Sequence, residues 1–166
     1  MAIVLLGIII TPLMGGIITG LRTIGTGTVQ YTNGSDARLL QLYFAPDVQS
    51  TGNGASDVVV TPTANTECSG VTNVLRLRWS ATETPGTTNT YVAAYAVQSV
   101  SGSWQLLRYF CVNSGTATVT TIAHNLSSSS AVSIQQSGTS ITLTATETNG
   151  GSGTVNVAVT GTRRTT

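Results

Sequence analysis

The order of hydrophobic and polar residues divides the chain into three stretches with different periods. Residues 2–21 contain no charged side chain, and Arg22 is the first charge in the chain. Residues 36–50 repeat apolar side chains at helical spacing, and from Asp57 onward apolar and polar residues alternate in many places. In that order, the three patterns predict a hydrophobic helix, an amphipathic helix and a series of β-strands.

The apolar segment, residues 2–21, is long enough to cross a membrane as a helix. At about 1.5 Å per residue it spans roughly 30 Å, the thickness of the hydrocarbon layer of a bilayer. A secretory signal peptide is disfavoured, since no basic region precedes the segment and no A-x-A site closes it. A buried core helix is disfavoured because the segment has no polar face. We therefore expect a helix that lies in a membrane or in the core of a filament.

Small residues recur along this segment and predict close packing against another helix. They form one ribbon at every fourth position, with a GxxxG motif beside it: Gly7, Thr11, Gly15 and Thr19, then Gly16 and Gly20. Along such a ribbon a second backbone can approach closely. Pro12 removes one helical hydrogen bond, so a kink is expected there.

The second stretch predicts an amphipathic helix. Ser35 or Asp36 is a suitable N-cap, Pro46 shortens or kinks the helix, and the glycine-rich residues 51–54 end it. Apolar side chains share one face of this helix: Leu39, Leu40, Tyr43, Phe44 and Val48. Such a face has to cover another element.

Seven or eight short strands follow, and their alternation and tight turns favour an antiparallel sheet, mostly a meander. The predicted strands cover residues 58–61, 75–79, 91–98, 104–112, 118–123, 132–136, 140–147 and 155–160. The predicted fold class is α+β, with a long N-terminal hydrophobic helix and a second amphipathic helix packed on the sheet. Two parts are expected: residues 1–34, the hydrophobic helix with a Gly/Thr-rich connection, and residues 35–166, a globular head.

Composition suits a protein that packs among copies of itself or lies outside the cell. Charged residues make up 8% of the 166 residues, and the formal net charge is +1. All seven basic residues are arginine, and Ser, Thr, Gly and Asn fill the polar positions. No basic patch predicts binding to nucleic acid.

The two cysteines, Cys68 and Cys111, predict a structural disulfide if the head is exported. With a single histidine in the chain and no CxxC spacing, they form no recognisable zinc site. A bridge closes a loop of roughly 40 residues, worth about 3–4 kcal/mol in the loop-entropy model. Two buried free thiols are the alternative.

Three features together resemble a type IV pilin-like, or prepilin-type, subunit. They are the apolar segment AIVLLGIIITPLMGGIITGLR, the amphipathic DARLLQLYFAPDVQS, and the sheet motifs VLRLRW, LLRYFC, AHNL and VTGTRR. They are similar to prepilin-type proteins of actinobacteria and related bacteria, and the resemblance covers nearly the whole chain. The basic leader, glycine and glutamate of the family's processing site have no counterpart here, so the N-methylated terminus and buried glutamate are carried over to no residue.

The resemblance implies a structural subunit of a type IV pilus-like extracellular filament. Such a subunit is anchored in the cytoplasmic membrane as a precursor, and pilus assembly machinery then builds it into a homo-oligomeric helical filament at the cell surface. The alternatives are a minor pilin or pseudopilin, or a membrane-tethered module for adhesion or for binding DNA or sugar. No cofactor is expected under any of these interpretations.

No catalytic or metal-binding constellation is evident in the sequence, so an enzyme is not expected. His124 has no obvious acid partner with which to form a catalytic triad, and the six carboxylates are dispersed. Asp47, Asn53 and Asp57 are possible calcium ligands, although Asx-rich turns usually bond to their own backbone. Five aromatic residues are predicted to be sheet core, with a stacking surface for sugar or single-stranded DNA as the alternative: Trp79, Trp104, Tyr91, Tyr95 and Tyr109.

Overall fold

The computed structural model describes the chain from residue 32 to residue 164 with short gaps. The described residues are 32–52, 54, 56–60, 63–65, 68, 70–84, 86–148 and 153–164. The predicted hydrophobic helix lies outside them, together with its packing and kink residues: Gly7, Thr11, Pro12, Gly15, Gly16, Thr19 and Gly20. No helix in the described part of the chain is long and apolar enough to cross a membrane.

Helix α1 covers residues 32–50. Its start differs from the predicted N-cap, because Ser35 and Asp36 lie inside the helix and the Asp36 carboxylate bonds to another element. Pro46 does not end the helix, which continues to residue 50, and the buried Val48 extends the core face beyond it. The helix therefore keeps the predicted apolar face over its whole described length.

The described residues also form ten β-strands. They are β1 (Val58–Val59), β2 (Thr63–Asn65), β3 (Val71–Asn73), β4 (Leu75–Thr84), β5 (Thr87–Val100), β6 (Ser103–Val112), β7 (Thr118–Leu126), β8 (Val132–Ser137), β9 (Ser140–Thr148) and β10 (Thr154–Thr162). The main sheet has the order β1-β4-β5-β6-β7-β9-β10, with β8 also paired to β9. All its pairings are antiparallel, and β4 to β7 form the predicted meander.

One face of the curled sheet packs against α1. Leu40, Phe44 and Val48 have no exposed surface, and each contributes about 1.5–3 kcal/mol by leaving water. The Phe44 ring meets Tyr95 of β5 edge to face, with 5.8 Å between centroids. Gly161 of β10 allows the closest approach, because a Cβ at that position would lie 2.6 Å from the Val48 Cβ.

The opposite face of β5 and β6 carries a second, smaller cluster. It contains the outward residues of the two strands together with one loop cysteine: Val92, Ala94, Ala96, Leu107, Tyr109, Cys111 and Cys68. The predicted Cys68–Cys111 disulfide is present, with 5.8 Å between the Cα atoms. Strand β5 is therefore buried on both faces over residues 92–96, between α1 and the loop that contains Cys68.

The predicted α+β, pilin-like fold class is wrong for this protein. The structure is mostly β, with a curled antiparallel sheet and one described helix of 19 residues. Strands β4 and β5 extend past their predicted ends into the Thr-rich residues 80–84 and 87–90, because β-branched threonine fits a pleated strand as well as an apolar residue does. The separate β2–β3 hairpin, within a Gly/Thr/Asn-rich stretch, was not predicted either.

Candidate functional site at the interface between the helix and the sheet

Two carboxylates of α1 face the sheet and are buried. Asp36 is 1% exposed and Asp47 is 5% exposed. Asp47 follows Asp36 by eleven positions, or about three helical turns, so the two carboxylates lie on the same face roughly 16 Å apart. A buried carboxylate requires a partner, because an isolated charge out of water is strongly unfavourable.

Asp47 is held by Arg108 of β6 and Tyr95 of β5. The Arg108 Nε donates to Asp47 Oδ2 and its Nη2 donates to Oδ1, both at 2.7 Å. The Tyr95 hydroxyl also donates to Oδ2 at 2.7 Å. Tyr95 and Arg108 face each other across the two strands, so the sheet register brings both donors to the same point. This is a bidentate ion pair, the strongest geometry available to arginine and a carboxylate.

The Arg108 guanidinium also lies between two aromatic rings. Its central carbon is 5.2 Å from the Tyr43 centroid and 4.6 Å from the Phe110 centroid. Burial lowers the pKa of Arg108, but the hydrogen bonds and charge of Asp47 outweigh that effect and raise the pKa overall. The pKa of Tyr95 is raised well above its usual value, first by burial and then by the charge of Asp47. Arg108 is therefore a permanent cation inside the interface.

Asp36 is held by His124 of β7, near the start of α1. The His124 backbone N–H donates to Asp36 Oδ2 at 2.6 Å, and the His124 Nδ1 lies 2.9 Å from Oδ1. The sequence suggested no acid partner for His124, and the structure supplies one from 88 residues away. Because the carboxylate is bonded by both backbone and ring, Asp36 fixes the position of the His124 imidazole.

Glu147 of β9 has no exposed surface and lies close enough to Asp36 to be influenced by its charge. Burial, and then the charge of Asp36, raise the pKa of Glu147 to about 8. The carboxyl is therefore mostly protonated at neutral pH. Nearby, the Asn33 side-chain amide donates to the Thr148 carbonyl at 3.5 Å, so the first turn of α1 contacts the end of β9 as well as β7.

The remaining predicted site residues have structural roles in this fold. Asp47 is occupied by Arg108, and Asp57 Oδ2 accepts from the Gly54 backbone N–H at 3.0 Å, as in an Asx-type turn. Asn53, the third predicted calcium ligand, lies outside the described residues. Over the described part of the chain, no group of three or more His, Cys, Asp or Glu residues could hold a metal ion.

The aromatic residues divide between core and surface. Tyr95 is fully buried, Tyr109 is nearly buried on the opposite face and donates to Gln98 at 2.9 Å, and Trp104 is 37% exposed. Trp79 and Tyr91 are half-buried and stack with Phe110 along one face of the sheet. The predicted sheet core is therefore correct for Tyr95 and Tyr109.

Sequence reasoning missed Arg108 and Asp36, although each left a signal. Arg108 is a lone charge inside the apolar run of residues 106–111, and such a charge usually has a buried partner. Asp36 precedes Leu40 by four residues and so belongs to the apolar face of the helix. Comparisons with protein-family models, curated proteins and solved structures found no match for this chain. A proposal of function therefore depends on the geometry above and on the sequence pattern.

Proposed function

We propose that this chain is a structural subunit of an extracellular, type IV pilus-like filament, anchored in the cytoplasmic membrane by residues 2–21 before assembly. The observation that carries the proposal is the attachment of α1 to the sheet at both ends. Asp36–His124 lies near the start of α1 and Asp47–Arg108 near its end. Because α1 follows the apolar segment in the chain, it is the described element nearest in sequence to the part proposed to form the filament core.

This attachment suits a subunit under mechanical load. A pull on the residues before α1 is opposed by the Asp36 contacts, the apolar contacts of Leu40 and Phe44, and the buried Asp47 ion pair. In a filament, this arrangement keeps the head folded while the proposed core carries tension.

Two further features support a position outside the cytoplasm. The Cys68–Cys111 disulfide is of a kind that persists in oxidising compartments and is rare in the cytosol. The polar surface is composed mainly of Ser, Thr and Asn, with no lysine in the chain. A surface with few charges can pack against copies of itself without strong repulsion.

Electron microscopy of the full-length protein isolated from its membrane tests the proposal. We expect long uniform fibres in which this chain is the main component by mass spectrometry. Replacing Gly15 and Gly16 together with leucine should abolish the fibres, because the added side chains prevent the close helix contact. The matched control, Leu13→Ile with Met14→Leu, changes neighbouring positions outside the small-residue ribbon and should assemble normally.

The outcomes separate the alternatives. Circular dichroism and an intact disulfide should show that the head of the Gly15/Gly16 variant remains folded. Normal fibres from that variant would contradict the close-packing argument. If the wild-type protein forms no fibres but binds a surface ligand, the chain is a membrane-tethered binding module, and the filament proposal fails. If the chain is a trace component of fibres built from another protein, it is a minor subunit.

A further inference from the structure

The last strand of the main sheet, β10, has an open edge. Three strands of this sheet have one partner strand each among the described residues: β1, β8 and β10, with two, six and nine residues. Strand β10 pairs with β9 at every position from Thr154 to Thr162 without a shift in register. Its other side is therefore the longest border among these three strands.

The register shows which backbone groups of β10 point away from β9. The Arg163 N–H donates to the Thr139 carbonyl at 2.9 Å, and these two residues continue the register of β9 and β10 by one step. In an antiparallel pair, hydrogen-bonded and non-hydrogen-bonded positions alternate. The odd-numbered residues of β10 therefore bond to β9, and the N–H and C=O groups of the even-numbered residues point outward. These five residues are all exposed: Thr154, Asn156, Ala158, Thr160 and Thr162.

This open edge lacks the features by which β-proteins usually prevent edge-to-edge pairing. Those features are charged side chains, proline, bulges and very short strands. Residues 154–162, TVNVAVTGT, contain no charged residue and no proline. Val155 lies on the same side of the strand as the buried Val159, yet 37% of its surface is exposed. Backbone groups and apolar surface are thus both exposed to solvent along this edge.

We propose that the open edge of β10 binds the same edge of a second copy of this chain. The two β10 strands pair antiparallel about a two-fold axis at Ala158. This register brings the outward, even-numbered residues of both copies opposite each other, so their N–H and C=O groups can bond. It also keeps all nine residues of each strand paired. Addition of a strand to an open sheet edge is a common mode of protein recognition.

The polar side chains of β10 favour a second copy over an unrelated strand. In the proposed register, Asn156 lies opposite Thr160 of the partner subunit. Similar pairs already join β9 and β10 within the chain, since the Thr146 hydroxyl donates to Asn156 Oδ1 and the Thr142 and Thr160 hydroxyls are bonded, each at 2.8 Å. The Asn156 Nδ2 is a donor, and the hydroxyl of Thr160 of the partner subunit can accept from it. The row of side-chain hydrogen bonds therefore continues from one copy into the other.

The remaining positions of the register are also compatible with self-pairing. Val157 lies opposite Val159 of the partner subunit, so apolar side chains meet on the side of the strand that faces the core. A charge near a two-fold axis would lie close to the same charge of the other copy, and this strand has none. A dimer of this kind is closed, whereas a filament needs a contact that repeats. The contact therefore goes beyond the proposed filament and does not depend on it.

Cysteine cross-linking of the full-length protein in detergent micelles tests the register. Opposite Cα atoms of a hydrogen-bonded antiparallel pair are about 5.5 Å apart, a distance that a disulfide can bridge. Ala158→Cys should therefore give a disulfide-linked dimer on mild oxidation. The matched control is Thr154→Cys, which is exposed on the same side of the strand. In the proposed dimer it lies roughly 27 Å from its own counterpart, so it should cross-link at least tenfold more slowly.

A second set of variants tests the backbone contact. Thr154→Cys combined with Thr162→Cys should cross-link as Ala158→Cys does, because these two positions lie opposite each other in the dimer. Adding Ala158→Pro to this pair removes an outward N–H, which an edge strand tolerates, and should slow the cross-link at least tenfold. Adding Ala158→Thr keeps the N–H and should leave the rate unchanged. Circular dichroism should show that both variants are folded.

Three results would overturn the proposal. The first is equal cross-linking of Ala158→Cys and Thr154→Cys, which would indicate random collision. The second is an equal rate with Ala158→Pro and Ala158→Thr. The third is cross-linking of Ala158→Cys in native membranes to a different protein and not to itself, which would assign the edge to another partner. Because the dimer needs no fibres, the same measurements in the Gly15/Gly16 leucine variant separate this proposal from the filament proposal.

Discussion

Replacing Asp47 with asparagine should destabilise the head more than any conservative change at the surface. The carboxylate accepts three hydrogen bonds of 2.7 Å, two from Arg108 and one from Tyr95. Asparagine keeps the shape of the side chain but removes its charge and places an N–H₂ donor against groups that are themselves donors. Arg108 is 9% exposed as a residue, so its guanidinium then stays buried without a counter-charge.

The size of the effect follows from this burial. Breaking a buried ion pair by removing one partner costs about 3–5 kcal/mol, far more than the 0–1 kcal/mol of an exposed pair. Tyr95→Phe removes one donor to a charged carboxylate and leaves both Arg108 bonds, so it should cost about 1.5–3 kcal/mol, less than Asp47→Asn. For a head of this size, the Asp47→Asn loss corresponds to a fall in Tm of roughly 10–20 °C.

Chemical denaturation and thermal unfolding, followed by circular dichroism on the full-length protein in micelles, measure both changes. The matched control is Asp57→Asn, which alters an aspartate on a loop and should cost less than about 1 kcal/mol. A triple variant, Asp47→Leu with Arg108→Met and Tyr95→Phe, should recover most of the lost stability, because apolar side chains can replace a buried pair at little cost and no buried donor is left without an acceptor. A loss below about 1 kcal/mol for Asp47→Asn, or no recovery in the triple variant, would refute the reasoning.

Three further predictions concern other parts of the fold. Reducing the disulfide should lower the free energy of unfolding by about 3–4 kcal/mol, and non-reducing mass spectrometry should show Cys111 joined to its partner rather than a free thiol. Glu147 keeps its proton up to a pH of about 8 in the folded state but loses it near 4.5 in the unfolded state. The free energy of unfolding should therefore fall as the pH rises between these values, by at most about 1.4 kcal/mol per pH unit. Glu147→Gln should flatten this dependence when denaturation is measured at several pH values, and should stabilise the head at pH 7. Gly161→Ala should cost about 1–3 kcal/mol in thermal unfolding by pushing α1 off the sheet, whereas Gly34→Ala, in open space on α1, should be neutral or stabilising by up to about 1 kcal/mol.

Local pattern was sufficient for much of the secondary structure. The alternation of residues located β4 to β10 within a few positions, and the helical period identified Leu40, Phe44 and Val48 as one core face. These features are encoded by neighbours in the sequence, since a period of two or of 3.6 is a local property. The disulfide was predictable for a different reason, because a chain with two cysteines allows one intramolecular pairing.

The prediction of the fold class was wrong because it gave weight to a predicted helix, residues 2–21, that lies outside the described residues. The predicted strands also ended where the alternation of apolar and polar residues stopped, although the Thr-rich ends of β4 and β5 continue to pair across the hairpin. Backbone pairing is satisfied by any residue that tolerates an extended conformation, so apolar pattern alone underestimates strand length.

Only the tertiary structure determined the functional geometry. Asp47 meets Arg108 across 61 residues and Asp36 meets His124 across 88 residues, through the register of β5, β6 and β7 against α1. The sequence shows which residues are charged, apolar or aromatic. The strand register and the placement of the helix depend on how much apolar surface the whole domain buries. Partners that are distant in sequence therefore become definite only when the sheet has curled around the helix.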